Sequence, residues 1–335
     1  MQQEYCHMKI KKIKTLLAYH MYREGIDTFY ESYAKRLNEF GFDVEGFCLT
    51  LDPPSSRLSF EQLDTLWKKQ DRRLHALYKK LQTKAEDKDV LVLFNGSNLH
   101  PNYLEKLNTF NAYMCFDDPE SSNNLSKPVS KFFDACFVGN IACLEQYHAW
   151  KCKNVFFRPL GYFASHVYSN CLTENIIVRR NNDIDVCLFC ERQSAWRKNR
   201  LGFLEKIIPN FHARGKGWDS GWATHAEMLD VYRRSKIGLN LHNSVGPVNM
   251  RTYLLPANGI MQICDNKYFL GHIYELGKEV VGYCDVEEVP ELVNYYLSNE
   301  NERKRIAITG WKMATATYNE IAVWEKQMKQ IAGLL

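Results

Sequence analysis

The sequence predicts an α/β chain of two tandem domains, each built on a mostly parallel sheet. Three observations carry this. Short β-rich runs alternate with helical segments through both halves. The 335 residues exceed twice the usual single-domain length of about 150. Hydrophobic residues make up 45% and charged residues 24%, enough apolar material for a sizeable core.

The strands and helices follow in order. Residues 13–19 read as a first strand, and helical periodicity runs from Gly25 to Phe40 until Gly41 caps it. Residues 43–49 alternate as a second strand. Ser59 and Gln62 form a capping box that opens one long helix, whose apolar stripe is Phe60, Leu63, Trp67, Leu74, Leu77, Tyr78 and Leu81. Its opposite face is basic (Lys68, Lys69, Arg72, Arg73, Lys79, Lys80) and suits a solvated surface or peripheral contact with anionic lipid. Residues 89–94 are apolar throughout, as a central parallel strand should be. Strands at 112–116, 135–138 and 155–158 complete the first half, with residues 160–169 as a linker. The second half offers strands at 184–190, 237–241, 261–264 and 280–283, a strand and glycine turn at 211–217, and helices near 198–208, 226–235, 251–257 and 289–298; a last helix covers 318–334.

Composition excludes several functions. A formal charge of +4, from 43 basic and 39 acidic residues, gives nucleic-acid binding no support. No apolar run approaches the roughly 18 residues of a membrane span, and the amino terminus lacks an apolar stretch followed by a cleavage site. The eleven cysteines are irregularly spaced and many lie in apolar runs, so they read as reduced core thiols of a cytoplasmic protein. Cys187 and Cys190 lack a second pair nearby, and no metal site is expected. Neither a G-x-G-x-x-G nor a Walker A motif is present, which argues against dehydrogenase and triphosphatase chemistry.

Ligands of open α/β sheets lie beyond the carboxyl ends of the strands. In the second half that rule selects His242 to Tyr253, where a glycine-proline turn leads into a helix start beside Arg251. Helix-start amides and a guanidinium suit phosphate oxygens; a capped helix with a surface ion pair fits the pattern equally. In the first half the residues after strands are His20, Asp27, Asn95, Asp117 and Asp118. His20 and Asp117 have the chemistry of a general base for an acceptor hydroxyl, while Asp117 and Asp118 also suit a turn that caps free amides.

Asn249-x-Arg251, Pro256-Ala-x-Gly259, Asp265 and Gly277-Lys-Glu279, in this order, resemble the C-terminal half of CgeB-type (spore maturation protein-like) glycosyltransferases. Phe116-Asp-Asp-Pro119 and Arg158-Pro159 resemble the same family's first domain. The resemblance implies the GT-B fold, two Rossmann-like domains facing across a cleft. The expected division is 1–165 on the acceptor side, 166–315 for the nucleotide sugar, and 316–335 as a C-terminal helix packing back on the first domain. It implies metal-independent transfer of a sugar from a UDP, GDP or dTDP donor to a hydroxyl of a glycan, small molecule or protein. Asn249, Arg251 and Arg200 would lie at the diphosphate, with His242 and Thr252 in the same segment. Gly215, Gly217 and Trp218 would bound the base. The family's ribose-binding glutamate is replaced here by Leu254, and the other acid of that motif by Gly246. Asp265 or Glu279 could take the ribose instead, or the donor is held differently. A sugar-nucleotide epimerase and a non-catalytic nucleotide- or glycan-binding module on the same fold stay open as alternatives.

Overall fold

The computed structural model describes residues 10–20, 28–51, 57–94, 96, 98–169, 171–192 and 195–335. The chain divides into two compact units, Met1–Pro159 with Trp324–Leu335, and Leu160–Val323.

The first unit carries six strands: β1 (Lys14–Tyr19), β2 (Asp43–Cys48), β3 (Val90–Phe94), β4 (Phe110–Cys115), β5 (Ala135–Val138) and β6 (Asn154–Phe157). They form one sheet in the order β2-β1-β3-β4-β5-β6, parallel at every pairing. All five residues of β3 are buried, because helices cover both faces of a parallel sheet. The helices are α1 (Thr28–Glu39), α2 (Phe60–Lys68), α3 (Arg72–Ala85), α4 (Pro101–Leu104) and α5 (Leu144–Ala149).

The single helix expected from Ser59 onward is two. Its capping box forms, but Gln70 takes a positive φ of 53° and Asp71 caps α3 by accepting the amides of Arg73 and Leu74. An aspartate that bonds backbone amides competes with helix continuation, so the chain turns at Gln70. The apolar stripe still reaches one core: Leu63, Leu74, Tyr78 and Leu81 are buried there, with Phe60, Trp67 and Leu77 packed against it. The basic face is split between α2 and α3, and part of it is neutralised by the Lys68–Asp64 pair at 2.6 Å and the Arg73–Asp71 pair at 3.1 Å.

The second unit holds β7 (Ile184–Phe189), β8 (Phe211–Arg214), β9 (Ser235–Asn240), β10 (Met261–Cys264) and β11 (Val281–Gly282), in the sheet order β11-β10-β9-β7-β8. Its pairings are also parallel. Its helices are α6 (Glu174–Arg179), α7 (Ala195–Ile207), α8 (His225–Arg234), α9 (Arg251–Ala257), α10 (Lys267–Leu270), α11 (Val289–Ser298) and α12 (Glu300–Thr317). The 18-residue α12 has no counterpart in the sequence reading. It buries Ile306, Ala307, Gly310 and Ala314 beside Arg303, a face in which small residues outnumber large apolar ones. A Cβ at Gly310 would stand 2.3 Å from the Glu279 carbonyl oxygen, so only glycine permits this approach.

The last helix, α13 (Glu320–Ala332), passes from one unit to the other. Within the first unit, buried Trp324 meets the edge of Tyr33 at 6.0 Å. The Arg158 Nε donates to Gln327 Oε1 at 3.0 Å. Among the described residues no helix is long and apolar enough to cross a membrane.

Candidate functional site

The order of the second sheet defines where a ligand belongs. From β7 the chain goes to β8 on one side and then to β9 on the other, so the topological switch lies between β7 and β9. Two arginines converge on the residues just past those strands. Arg251, the first residue of α9, donates from Nη1 to the Phe189 carbonyl at 2.7 Å, from Nη2 to that of Leu241 at 3.3 Å, and from Nε to Asn240 Oδ1 at 3.1 Å. Arg197, on α7, donates from Nη1 to the Glu191 carbonyl and from Nη2 to the Leu241 carbonyl, both at 2.9 Å.

These acceptors are neutral oxygens, which orient a guanidinium without cancelling its charge. Among the described residues Arg251 has no ion-pair partner. Arg197 is 5% exposed, and burial, with the like charge of Arg251, pulls its pKa down. Two fixed cations at a switch point have the chemistry to stabilise an anion such as a diphosphate. Arg197 escaped the sequence reading, which chose Arg200 one turn later on the same helix. The available signal was the i, i+3 spacing of the two arginines.

His242, Asn249 and Thr252 meet around Asn240 and hold this centre. The Asn240 amide nitrogen reaches Asn249 Oδ1 at 3.3 Å and both Thr252 Oγ1 and Gln262 Oε1 at 3.2 Å. Asn249 returns a bond to Asn240 Oδ1 at 2.9 Å and accepts the Thr252 amide at 3.2 Å. His242 and Thr252 are 1% and 0% exposed, so they act as framework. The His242 amide donates to Asp265 Oδ2 at 2.8 Å, its Nδ1 bonds Asp265 Oδ1 at 2.5 Å, and its Nε2 lies 3.2 Å from Thr252 Oγ1. Burial pulls the His242 pKa down, against the pull of Asp265. His242, Cys264 and Asp265 also bring potential metal donors within 4.8 Å of one another, a grouping the sequence did not reveal. Both ring nitrogens of His242 are already engaged.

The glycine turn braces the same strand ends. Gly215 has a φ of +139°, and a Cβ there would stand 2.3 Å from the Cys190 carbonyl oxygen. Gly217 has a φ of +88°. Trp218 donates from Nε1 to that same carbonyl at 2.9 Å and lies under the Arg192 guanidinium, 4.6 Å from its ring centre. At 6% exposure its ring is part of the core and presents little surface to a base. Arg200 lines a cavity with Asp265. Leu254 is buried at 3% exposure, whereas Glu279 is taken up by the Glu275 amide, 2.8 Å from its Oε2.

His20 and Asp117 belong to the first unit. The Asn98 amide nitrogen donates to the Leu49 carbonyl at 3.0 Å and to His20 Nδ1 at 2.7 Å. The Thr50 hydroxyl also lies 3.2 Å from His20 Nδ1. Asp117 pairs with Arg57 Nη1 at 2.6 Å. Asp118 is internal, accepting from Tyr147 Oη at 2.6 Å and Ser122 Oγ at 3.1 Å. Asp27 and Asn95 lie outside the described residues.

A glycosyl transferase-like family model matches residues 190–329, which includes both arginines and the whole Asn240 network. No curated protein sequence matches the chain. Solved structures match across almost all of it. Sucrose-phosphate synthase from Thermosynechococcus elongatus aligns at a TM-score of 0.64 and 11% identity, covering 96% of this chain and 98% of that one. HepE from Anabaena, solved with UDP, aligns at 0.63 and 12%, covering 96% and 100%. The lipopolysaccharide outer core galactosyltransferase WaaB aligns at 0.62 and 11%, also covering 96% and 100%. The fold is GT-B.

Proposed function

We propose that this GT-B glycosyltransferase moves a sugar from a nucleoside-diphosphate donor to a hydroxyl acceptor, with Arg197 and Arg251 receiving the leaving diphosphate. The observation that carries the reading is the meeting of their two guanidinium groups at the Leu241 carbonyl, held by neutral acceptors. As the glycosidic bond breaks, charge grows on the diphosphate, and preorganised cations stabilise it without a divalent metal. Neighbours solved with UDP and with UDP-glucose support a nucleotide-sugar donor. Asn249-x-Arg251 and Pro256-Ala-x-Gly259 support placing the chain with the CgeB-type proteins. A cytoplasmic location agrees with ten free cysteines among the described residues.

Thermal-shift measurements with UDP, GDP and dTDP, in the presence of a chelator, test the reading. One nucleotide should raise the melting temperature of the wild type, and Arg251→Ala should abolish that rise. Absence of any shift with all three would sink it.

A further inference from the structure

A cavity of about 480 Å³ opens past the carboxyl ends of β9, β10 and β11, within the second unit. Its wall comes from three successive post-strand segments, 243–245, 265–269 and 283–287, with Arg200 reaching in from α7. Neither Arg197 nor Arg251 lines it. It is therefore a compartment beside the diphosphate centre, sharing Leu241 and the Asp265–His242 pair as a common border.

The wall is preformed. Glu288 Oε1 accepts the amides of Cys284 at 2.9 Å and Asp285 at 2.8 Å, fixing the loop after β11. Asn266 adopts the left-handed conformation and takes the Gly246 amide at 3.0 Å, tying the loops after β9 and β10 together. Asp265 is held through both carboxylate oxygens by His242.

The lining mixes carboxylates (Asp265, Asp285, Glu287) with cations (Arg200, Lys267) around the ring of Tyr268, which is 75% exposed. An apolar ligand would desolvate five charged groups without replacing their hydrogen bonds. A phosphate would face three carboxylates. A ring bearing several hydroxyls fits both halves of the lining, since each hydroxyl donates to a carboxylate and accepts from a cation, while the ring's C–H face covers the tyrosine.

We propose that this cavity binds a hexopyranose ring, with Asp285 and Glu287 accepting from neighbouring hydroxyls and Tyr268 covering one face. The ring belongs either to the donor or to a saccharide acceptor; its part in the reaction rests on the nucleotide-sugar reading above.

Isothermal titration of the full chain tests this with the methyl glycosides of glucose, galactose and N-acetylglucosamine, with UDP, and with the matching UDP-sugars. The variants are Tyr268→Ala and the isosteric double change Asp285→Asn, Glu287→Gln, each checked for folding by circular dichroism. At least one glycoside should bind the wild type and weaken tenfold or more in both variants, with UDP unchanged within twofold. A parallel loss for the UDP-sugar assigns the cavity to the donor's ring; an unchanged UDP-sugar assigns it to an acceptor. Equal binding of all sugars by wild type and variants, or no glycoside binding at all, overturns the proposal. A glycoside that binds as expected while no nucleotide does would leave the cavity assignment standing and refute the nucleotide-sugar reading.

Discussion

Arg197 and Arg251 donate to the same oxygen, the Leu241 carbonyl, at 2.9 and 3.3 Å from two different helices. Bringing like charges this close costs free energy that a bound anion would recover. Each charge-assisted bond to a diphosphate is worth about 1.5–3 kcal/mol, so Arg197→Ala and Arg251→Ala should each weaken nucleoside-diphosphate binding by roughly 10- to 100-fold. Arg251→Lys should restore only part of it, because an ammonium cannot hold the Phe189 and Leu241 carbonyls and an anion with one fork. Titration at two salt concentrations checks this; equal affinity for all four proteins would refute the assignment.

Gly215→Ala should destabilise the second unit by about 2 kcal/mol or more, since it combines a positive φ with a methyl group against the Cys190 carbonyl. Chemical denaturation followed by tryptophan fluorescence reads this, because Trp218 bonds that same carbonyl. A change below about 0.5 kcal/mol would show that the turn relaxes freely.

Stability should fall as pH drops below about 6.5, and His100 is one source. The ring stacks on Trp67 at 4.7 Å, its Nδ1 accepts the Asn102 amide at 3.3 Å, and its Nε2 faces Asp64 at 3.4 Å. Burial pulls its pKa down, opposed by Asp64. The unfolded chain then binds the proton first, so stability is full above the ordinary histidine value and is lost as pH falls toward the folded one. His100→Asn keeps a capping acceptor and removes the titration. Its melting temperature between pH 7.5 and 5.5 should therefore vary less than that of the wild type; an identical slope would exclude His100.

Trp324→Ala should cost about 3–5 kcal/mol, as expected for a fully buried indole. The loss removes the contact with Tyr33, on α1 of the first unit. Limited proteolysis should then release the segment carrying Gln327 sooner than in the wild type. Unchanged protection would mean that the Arg158–Gln327 bond suffices.

The alternation of strands and helices, the Ser59–Gln62 box and the arginine of Asn249-x-Arg251 were legible in the sequence, because periodicity, capping and charge are local properties. The break at Gln70 was less so. There Asp71 serves as the cap of a second helix, and the apolar stripe runs across the break without interruption. Helix α12 presents a weak stripe, since Ala307, Gly310 and Ala314 fill most of its buried face and Gly310 meets a backbone oxygen from residue 279.

What the sequence determined by itself was the α/β class and the segment 242–253 as the place to look for a site. Tertiary structure decided which groups face that segment. Arg197 reaches the Leu241 carbonyl only because β7 and β9 are neighbours, a pairing between residues about 50 positions apart. It also sent Trp218 into the core, since its indole N–H must find an acceptor and finds the Cys190 carbonyl. The roles of Arg197 and Trp218 thus depend on strand order, and strand order is set by burial over the whole sheet.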